Sequence, residues 1–502
     1  MKTTRFLPLN SLATASFISC LAFACPTFGQ TTEDLKLSAI DGGSGNGFGT
    51  ATAIADGVLA IGAPGDDDNG PNSGSAYLFD AGSGIELSKL TPTDGATADK
   101  FGFSLAMSND LIIVGAPYDD DNGADSGSVY FFDSNSGLQV FKIIASDGQP
   151  GDEFGFAVAL DNGLVVIGAK RDDDNGRDSG SVYIFDANSG SQLAKLLPND
   201  GAADDNFGEA VDIDGGIIAV GAHGNDDLGP LSGSAYLFNA QSGVQLAKLL
   251  ATDGGTNDFF GSAIAIDGGV VAVGAWADSL FGDHSGSAYL FDVASGSQIT
   301  KIVPSDGHDR DHFGYSISMD AGIVAIGADD DDDNGFNSGS AYLYDATNGT
   351  LIEKLGASDG DVYDEFGTSV AIANGVAVIG SPGDDDNGSN SGSAYLFNPF
   401  SLSQTGLPGG NMSFQVSGAT PGGQVGVVYS FGSGAHVVTN PLTGNLITTG
   451  LSSTGFTLGT VGSADGEGDF EYSTYVPASA AGLVYVQAID GTNDRTCNVL
   501  SL

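Results

Sequence analysis

Short acidic runs that end in Asn-Gly offer the most obvious chemistry in this chain of 502 residues. Carboxylates crowded into glycine-containing loops suit Ca²⁺, a hard cation that takes six to eight oxygen ligands. The sequence therefore predicts that these loops bind Ca²⁺. The candidate ligands are Asp66, Asp68, Asp119, Asp121, Asp172, Asp174, Asp331, Asp333, Asp384 and Asp386. The alternative of plain solvated turns stays open, because turns favour Asp, Asn and Gly in any case.

One of the loops departs from this pattern and suggests a different kind of contact. It runs from Trp276, the single tryptophan of the chain, to His284. Exposed aromatic and apolar side chains often anchor partners. We therefore predict a protein or glycan contact at Trp276, Leu280, Phe281 and His284.

Histidines near this loop add a second hypothesis. His223, His284, His308 and His312 all fall in connections at the same end of their repeats. Imidazole nitrogens bind transition metals, so a site formed across neighbouring repeats is an alternative to ordinary surface histidines.

Enzymatic chemistry is not indicated. The sequence contains no nucleophile elbow, zinc-protease motif or phosphate-binding loop, and its carboxylates recur too evenly to single out an acid–base pair. The expected protein is not an enzyme.

A repeat of fixed length must position all of these residues. Phe-Gly pairs begin at 48, 101, 154, 207, 260, 313 and 366, so every interval is 53 residues. The Gly-Ala of the second strand and a Ser-Gly-Ser-Ala-Tyr sequence keep the same step. Each unit contains four short apolar or alternating segments separated by Gly-rich turns, which predicts a four-stranded antiparallel sheet. Seven such sheets indicate a seven-bladed β-propeller over residues 34–398.

The chain ends predict how the ring closes. The seventh unit lacks its fourth strand, whereas the stretch 35–42 matches the fourth strand of an earlier unit at 247–254. The N-terminal strand is therefore expected to complete the last blade. Alternate loops of a meander lie at one end, so both acidic series, the Asn-Gly loops and the connections that lead into Phe-Gly, should share one face.

The repeats resemble FG-GAP repeats, known from integrin α-chain propellers, and are most similar to the bacterial secreted variant. The Phe-Gly, Gly-Ala-Pro and Ser-Gly-Ser-Ala-Tyr motifs carry the resemblance. It implies a propeller that binds ligands or cell surfaces. The integrin calcium loop between Phe-Gly and Gly-Ala-Pro is replaced by short turns such as Ala55-Asp56-Gly57, so those calcium sites do not carry over.

Charge and the chain ends narrow the partners and the location. With 64 acidic against 15 basic residues the net charge is −49, which predicts no nucleic-acid partner and makes anionic membrane surfaces poor partners. Residues 1–30 read as a signal peptide, and no later apolar stretch is long enough to span a membrane. We expect a monomer that is secreted or held at the cell surface. Cys25 and Cys497 are either paired or free.

Beyond the propeller, residues 402–502 lose the repeat and are expected to form a small β-sandwich-like domain. The fold class is thus all-β: a seven-bladed β-propeller followed by that domain. The first functional hypothesis is a binding or adhesion protein whose acidic face engages a partner with Ca²⁺. The alternatives are an acidic envelope or matrix component and, less favoured, a propeller hydrolase.

Overall fold

The structure is a computed structural model that describes residues 33–108 and 110–397, together with the strands between 401 and 501. The predicted signal peptide, residues 1–30, lies outside the described residues. So do Cys25 and Cys497.

Seven four-stranded antiparallel sheets form the blades of a propeller, which confirms the predicted fold. The strands are β1 (Leu35–Leu37), β2 (Thr52–Ala55), β3 (Val58–Ala63), β4 (Ser75–Asp80), β5 (Glu86–Leu90), β6 (Ser104–Met107), β7 (Leu111–Ala116), β8 (Ser128–Asp133), β9 (Gln139–Ile143), β10 (Ala157–Asp161), β11 (Leu164–Ala169), β12 (Ser181–Asp186), β13 (Gln192–Leu196), β14 (Val211–Asp214), β15 (Ile217–Ala222), β16 (Ser234–Asn239), β17 (Gln245–Leu249), β18 (Ile264–Asp267), β19 (Val270–Ala275), β20 (Ser287–Asp292), β21 (Ser297–Ile302), β22 (Ile317–Asp320), β23 (Ile323–Ala328), β24 (Ser340–Asp345), β25 (Leu351–Leu355), β26 (Ser369–Ala373), β27 (Val376–Ser381) and β28 (Ser393–Phe397). Blades 1 to 6 take β2 to β25 in consecutive groups of four, and blade 7 has the order β1-β28-β27-β26.

The third blade illustrates why the sequence folds this way. The turn between β10 and β11 places Asn162 and Gly163 at φ of 47° and 79°, the left-handed pair that a tight hairpin requires. Strand β11 is buried along nearly its whole length, because neighbouring blades cover both faces of the sheet. The apolar second strand of each repeat is therefore a blade interior.

The two glycine motifs bring adjacent blades into close contact. The N–H of Gly155 in Phe154-Gly155 donates to the carbonyl of Gly168 at 3.0 Å. A Cβ added to Gly168 would lie 2.0 Å from the carbonyl oxygen of Gly208 in the next blade. Phe154 itself packs edge-on against Tyr183 at 5.4 Å and is fully buried. The 53-residue register is thus a packing requirement repeated at each blade junction.

The N-terminal strand closes the ring as the sequence predicts. Leu35 and Leu37 of β1 pair with Leu396 and Ala394 of β28. Leu37 is buried among residues of blades 7 and 1, so the first strand joins the two ends of the propeller. Strands from the beginning and the end of the propeller sequence therefore share one sheet.

The first strands of all seven blades line a central channel with a volume of about 430 Å³. The fourth strand of each sheet is the outermost. The connection from the fourth strand of one blade to the first strand of the next therefore runs from the rim of the disc to the channel.

Ten further strands follow, and the sandwich architecture of this region stays a prediction. They are β29 (Ser401–Thr405), β30 (Gly410–Ser417), β31 (Gln424–Ser430), β32 (Ser433–Thr439), β33 (Leu446–Leu451), β34 (Thr457–Ser463), β35 (Phe470–Val476), β36 (Tyr485–Asp490), β37 (Arg495–Thr496) and β38 (Leu500–Ser501). Across the part of the chain that the structure describes, no helix is long and apolar enough to cross a membrane.

Candidate functional site

A lysine ammonium lies among the predicted Ca²⁺ ligands of the second blade. Lys142 on β9 reaches Asp119 and Asp121 of the acidic loop at 2.8 and 2.6 Å. It also reaches Asp94, from the preceding connection, at 3.0 Å. The Tyr130 hydroxyl donates to the same buried carboxylate of Asp119 at 2.8 Å. We call this arrangement of lysine, carboxylates and tyrosine a lysine cage.

The cage recurs in every blade. Each lysine lies 2.5 to 3.2 Å from carboxylate oxygens of both acidic loop series. The seven lysines are Lys36, Lys89, Lys142, Lys195, Lys248, Lys301 and Lys354. Two blades vary the theme: Asn225 replaces the buried aspartate beside Lys248, and Leu280 replaces the exposed one beside Lys301.

The geometry of the cages does not suit Ca²⁺ while the lysine is in place. A Ca²⁺ ion needs its oxygens at about 2.3–2.6 Å, and the ammonium already lies at hydrogen-bond distance from the same oxygens. The remaining loop carboxylates are also engaged: Asp67 Oδ1 accepts the N–H of Asn72 at 2.7 Å, which closes its loop. The predicted ligands of each loop do come together, but around an internal cation.

Burial and charge set opposing influences on the caged groups. Burial raises the pKa of Asp119, but hydrogen bonds from Lys142 and Tyr130 outweigh it, so the pKa lies below its usual value. Burial lowers the pKa of Lys142, but its carboxylate partners outweigh this and raise the pKa well above normal. Both groups are therefore held in their charged forms.

A second buried acid lies next to most cages. Asp152 is an example: its Oδ2 accepts the N–H of Gln149 at 2.7 Å, and burial, with a contribution from Asp172, raises its pKa to about 6. In blade 1 the matching residue is Asn46, whose Nδ2 donates to Asp66 at 3.1 Å. An amide in place of one acid gives the pair a hydrogen bond that two carboxylates cannot make.

A different set of residues surrounds the end of the channel, on the face that carries the cages. These positions flank Phe-Gly on either side or follow the Gly-Ala or Gly-Ser of the second strand. In blades 7, 1 and 2 they line one depression of about 380 Å³ that includes Gly47, Lys100 and Glu365. We call the whole set the channel mouth: residues 47, 100, 153, 206, 259, 312 and 365 before Phe-Gly, residues 50, 103, 156, 209, 262, 315 and 368 after it, and residues 64–65, 117–118, 170–171, 223–224, 276–277, 329–330 and 382–383 after the second strand.

Aromatic rings and histidines fill one arc of the mouth. Phe259 stacks on Trp276 with centroids 5.1 Å apart, and His312 contacts Trp276 edge-on at 4.7 Å. His284 lies 5.6 Å from Trp276, and His223 lies 5.5 Å from Phe259. Two of the four predicted histidines, His284 and His312, therefore contact Trp276, and a third, His223, contacts Phe259.

The other residues of the predicted partner contact lie apart from this arc. Leu280 and Phe281 lie in the loop of blade 5 that corresponds to the acidic loops of the other blades, and they are 55% and 52% exposed. His308 is exposed, and its N–H donates to Asp311 at 2.6 Å. The sequence reasoning did not single out Phe259. Its position before Phe-Gly was the available signal, because the other blades carry glycine or a polar residue there.

Charged residues occupy the neighbouring arc of the mouth in blades 3 and 4. Lys170 lies 3.1 Å from Glu209, and its ammonium stands 3.3 Å above the ring of Phe156. Arg171 binds the buried Glu153 at 2.9 Å, and burial raises the pKa of that carboxyl. The mouth thus combines aromatic faces, cations and partly desolvated acids, which is the equipment of a recognition site.

Comparison with known families agrees with the repeat. The family model for the FG-GAP repeat matches seven segments: 31–79, 85–132, 138–185, 191–238, 244–291, 297–344 and 350–397. Each segment begins at or just before the outermost strand of one blade and ends within the next, as the closing role of β1 requires. No curated protein matches the chain.

Proposed function

Because the chain belongs to the FG-GAP repeat family, we propose that it is a secreted or cell-surface binding protein whose partner docks on the channel mouth. The supporting observation is the contrast between the two sets of residues on that face. The cage lysine is the same in all seven blades, whereas the residue before Phe-Gly is Gly, Lys, Glu, Asn, Phe, His and Glu in turn. Repeated packing requires the first set and leaves the second set free for recognition.

The chemistry of the mouth favours a protein partner with an apolar, positively charged segment. Phe259 and Trp276 offer an aromatic anchor of the kind that dominates protein interfaces. The acidic loops form a rim around it, and the net charge of −49 attracts cations over distances of about 8–10 Å. A glycan partner would rely on the same aromatic residues but would not respond to salt.

Calcium is not required for this function. Each cage lysine already pairs with the two or three carboxylates around it, so Ca²⁺ binding by the loops stays a prediction that depends on displacing the lysine. Neither alternative, an acidic matrix component or a hydrolase, requires aromatic residues at the channel mouth. In a matrix component, moreover, the mouth residues would have no reason to differ between blades.

The test exchanges mouth residues for those that other blades of this chain carry. Phe259→Asn and Trp276→Pro install the residues found at 206 and 117, so the backbone conformation is one the repeat already adopts. Phe259 has a φ of 54°, and Asn tolerates this region well. The double variant should lose binding to oligolysine-containing peptides and to surface proteins of the producing organism, measured by calorimetry and pull-down.

The matched control restores the consensus loop with Leu280→Asp and Phe281→Asn. If the loop, and not the mouth, is the contact, this control loses binding and the mouth variant keeps it. Two results would refute the proposal of a cationic protein segment. One is that both variants bind the peptides and proteins as the parent chain does; the other is that the mouth variant loses binding to a neutral glucan and to nothing else.

A further inference from the structure

One group of metal-binding side chains lies in the mouth outside the lysine cages. Nδ1 of His312 is 3.1 Å from Asp330 Oδ2 and 3.5 Å from Asp329 Oδ1. One ligand atom from each of the three residues lies within 4.8 Å of the other two. All three belong to blade 6: His312 precedes Phe313-Gly314, and the two aspartates follow β23.

The blade sequences show that this combination is particular to blade 6. Where Asp329-Asp330 stand, the other blades carry Pro64-Gly65, Pro117-Tyr118, Lys170-Arg171, His223-Gly224, Trp276-Ala277 and Pro382-Gly383. The other six blades fold without two acids at these positions, so the repeat itself does not require them. They occur in the one blade that also has a histidine before Phe-Gly.

The condition of Asp329 points independently to a missing ligand. The residue is only 8% exposed, and its Oδ1 accepts no hydrogen bond from any described residue. The 3.5 Å separation from His312 is too long for a good hydrogen bond. A buried carboxylate oxygen that has one loose ion pair and no hydrogen bond is costly, so a cation bound between Asp329 and His312 would stabilise the site.

The neighbours of the three residues hold them in place as metal ligands usually are. Asn337 Nδ2 donates to Asp330 Oδ1 at 2.5 Å, which leaves Oδ2 directed at His312. Trp276 packs against the imidazole with centroids 4.7 Å apart. His312 and Asp330 keep 18% and 21% of their side chains exposed, so solvent reaches the cluster.

We propose that His312, Asp329 and Asp330 bind one divalent transition-metal ion, with Zn²⁺ as the best-fitting example. Zinc binds imidazole nitrogen and carboxylate oxygen at about 2.0–2.2 Å, so two ligand atoms of such a tetrahedron lie about 3.3–3.6 Å apart. The distances from His312 to Asp329 and Asp330, 3.5 and 3.1 Å, are close to this range. Three protein ligands leave the fourth position for water or for a ligand group. Calcium is disfavoured because it takes oxygen ligands. The site does not depend on the proposed partner.

The test is calorimetric titration of the untagged chain with Zn²⁺, Mg²⁺ and Ca²⁺. We expect one Zn²⁺ per chain, with binding weakened at least tenfold in His312→Asn and in Asp329→Asn. Asn206 occupies the position of His312 in blade 4, so the first variant keeps a residue that the fold accepts. The emission of Trp276, the single tryptophan, should change on Zn²⁺ addition in the parent and not in His312→Asn.

His308→Asn is the control, because His308 is an exposed histidine four residues away, and it should bind Zn²⁺ like the parent. Three results would overturn the proposal: no Zn²⁺ binding by the parent chain, unchanged affinity in His312→Asn, or binding of Ca²⁺ at least as tight as that of Zn²⁺. A melting curve for each variant ensures that lost binding is not lost folding.

Discussion

Replacing Lys142 by methionine tests whether the cage lysines stand where Ca²⁺ was predicted. The change keeps the aliphatic length of the side chain and removes its charge. Asp119, with 3% of its side chain exposed, then loses its cation and keeps only Tyr130 and backbone donors. Asp94 and Asp121 are 46% and 58% exposed and can be hydrated instead.

The expected loss follows from this difference in exposure. Breaking a buried ion pair by removing one partner costs about 3–5 kcal/mol, whereas each exposed pair is worth about 0–1 kcal/mol. Because Tyr130 still serves Asp119, we expect a value near the lower end, about 3 kcal/mol. With an unfolding entropy of about 2.1 cal/mol/K per residue, a propeller of roughly 365 residues should melt about 4 °C lower.

Calcium should then distinguish the variant from the parent chain. Without Lys142 the three carboxylates resemble a weak extracellular Ca²⁺ site with a Kd of about 0.1 mM. At 1 mM Ca²⁺ such a site contributes about 1.4 kcal/mol, which restores about 2 °C. The parent chain should respond to Ca²⁺ no more than to Mg²⁺ at equal ionic strength.

Lys301→Met is the matched control for these melting scans. In its cage Leu280 stands where the other six blades have an exposed aspartate, so Lys301 forms described ion pairs with Asp253 and Asp278 alone. This variant should be destabilised without regaining stability in Ca²⁺. A Ca²⁺-specific rise in the melting temperature of the parent, equal to that of the Lys142 variant, would refute the reasoning.

Three further predictions concern the buried acids and the closure of the ring. The raised pKa of Asp152, about 6, means that its protonated form favours folding. This contribution to stability is present below the unfolded pKa, near 3.9, and is lost as the pH rises through 6. Asp152→Asn should therefore raise the melting temperature at pH 8 and have little effect at pH 4.5. Removal of residues 34–40 should open blade 7 and lower the melting temperature by several degrees, and an unchanged transition would contradict the closing role of β1. Gly168→Ala should prevent close contact between blades 3 and 4 and reduce the yield of folded protein, because its Cβ would meet the carbonyl oxygen of Gly208 at 2.0 Å; circular dichroism of the purified variant checks this.

The blades were predictable because each conserved step of the repeat has a local physical cause. Gly155 and Gly168 must lack side chains for adjacent blades to approach, and Phe154 must fill the space between them. Spacing in the sequence therefore reports packing directly. The closing strand followed from the same logic, since an unfinished last sheet exposes a hydrogen-bonding edge.

The cages were only half predictable. Asp119 and Asp121 were identified, but Lys142 lies 21 to 23 residues further along on another strand, and alternation alone does not tell which loop its side chain reaches. Its recurrence at 53-residue steps was the available signal: seven of the 15 basic residues of the chain keep that register. The acidic composition pointed to an external cation, and the sequence reasoning did not include the internal cation that the cages contain; Ca²⁺ binding by the loops stays a prediction.

The arrangement of the mouth depends on contacts between blades, which no pattern within one repeat can describe. Trp276 and Leu280 are four residues apart, yet Trp276 packs on Phe259 of the preceding connection while Leu280 is exposed on the acidic loop. A ring of seven equal features offers a partner seven equal ways to bind. Specific recognition therefore requires residues that differ between blades. On this face the aromatic residues around Trp276, the ion pair of Lys170 and the proposed metal ligands, all of which differ between blades, lie on the arc from Lys170 to Asp330.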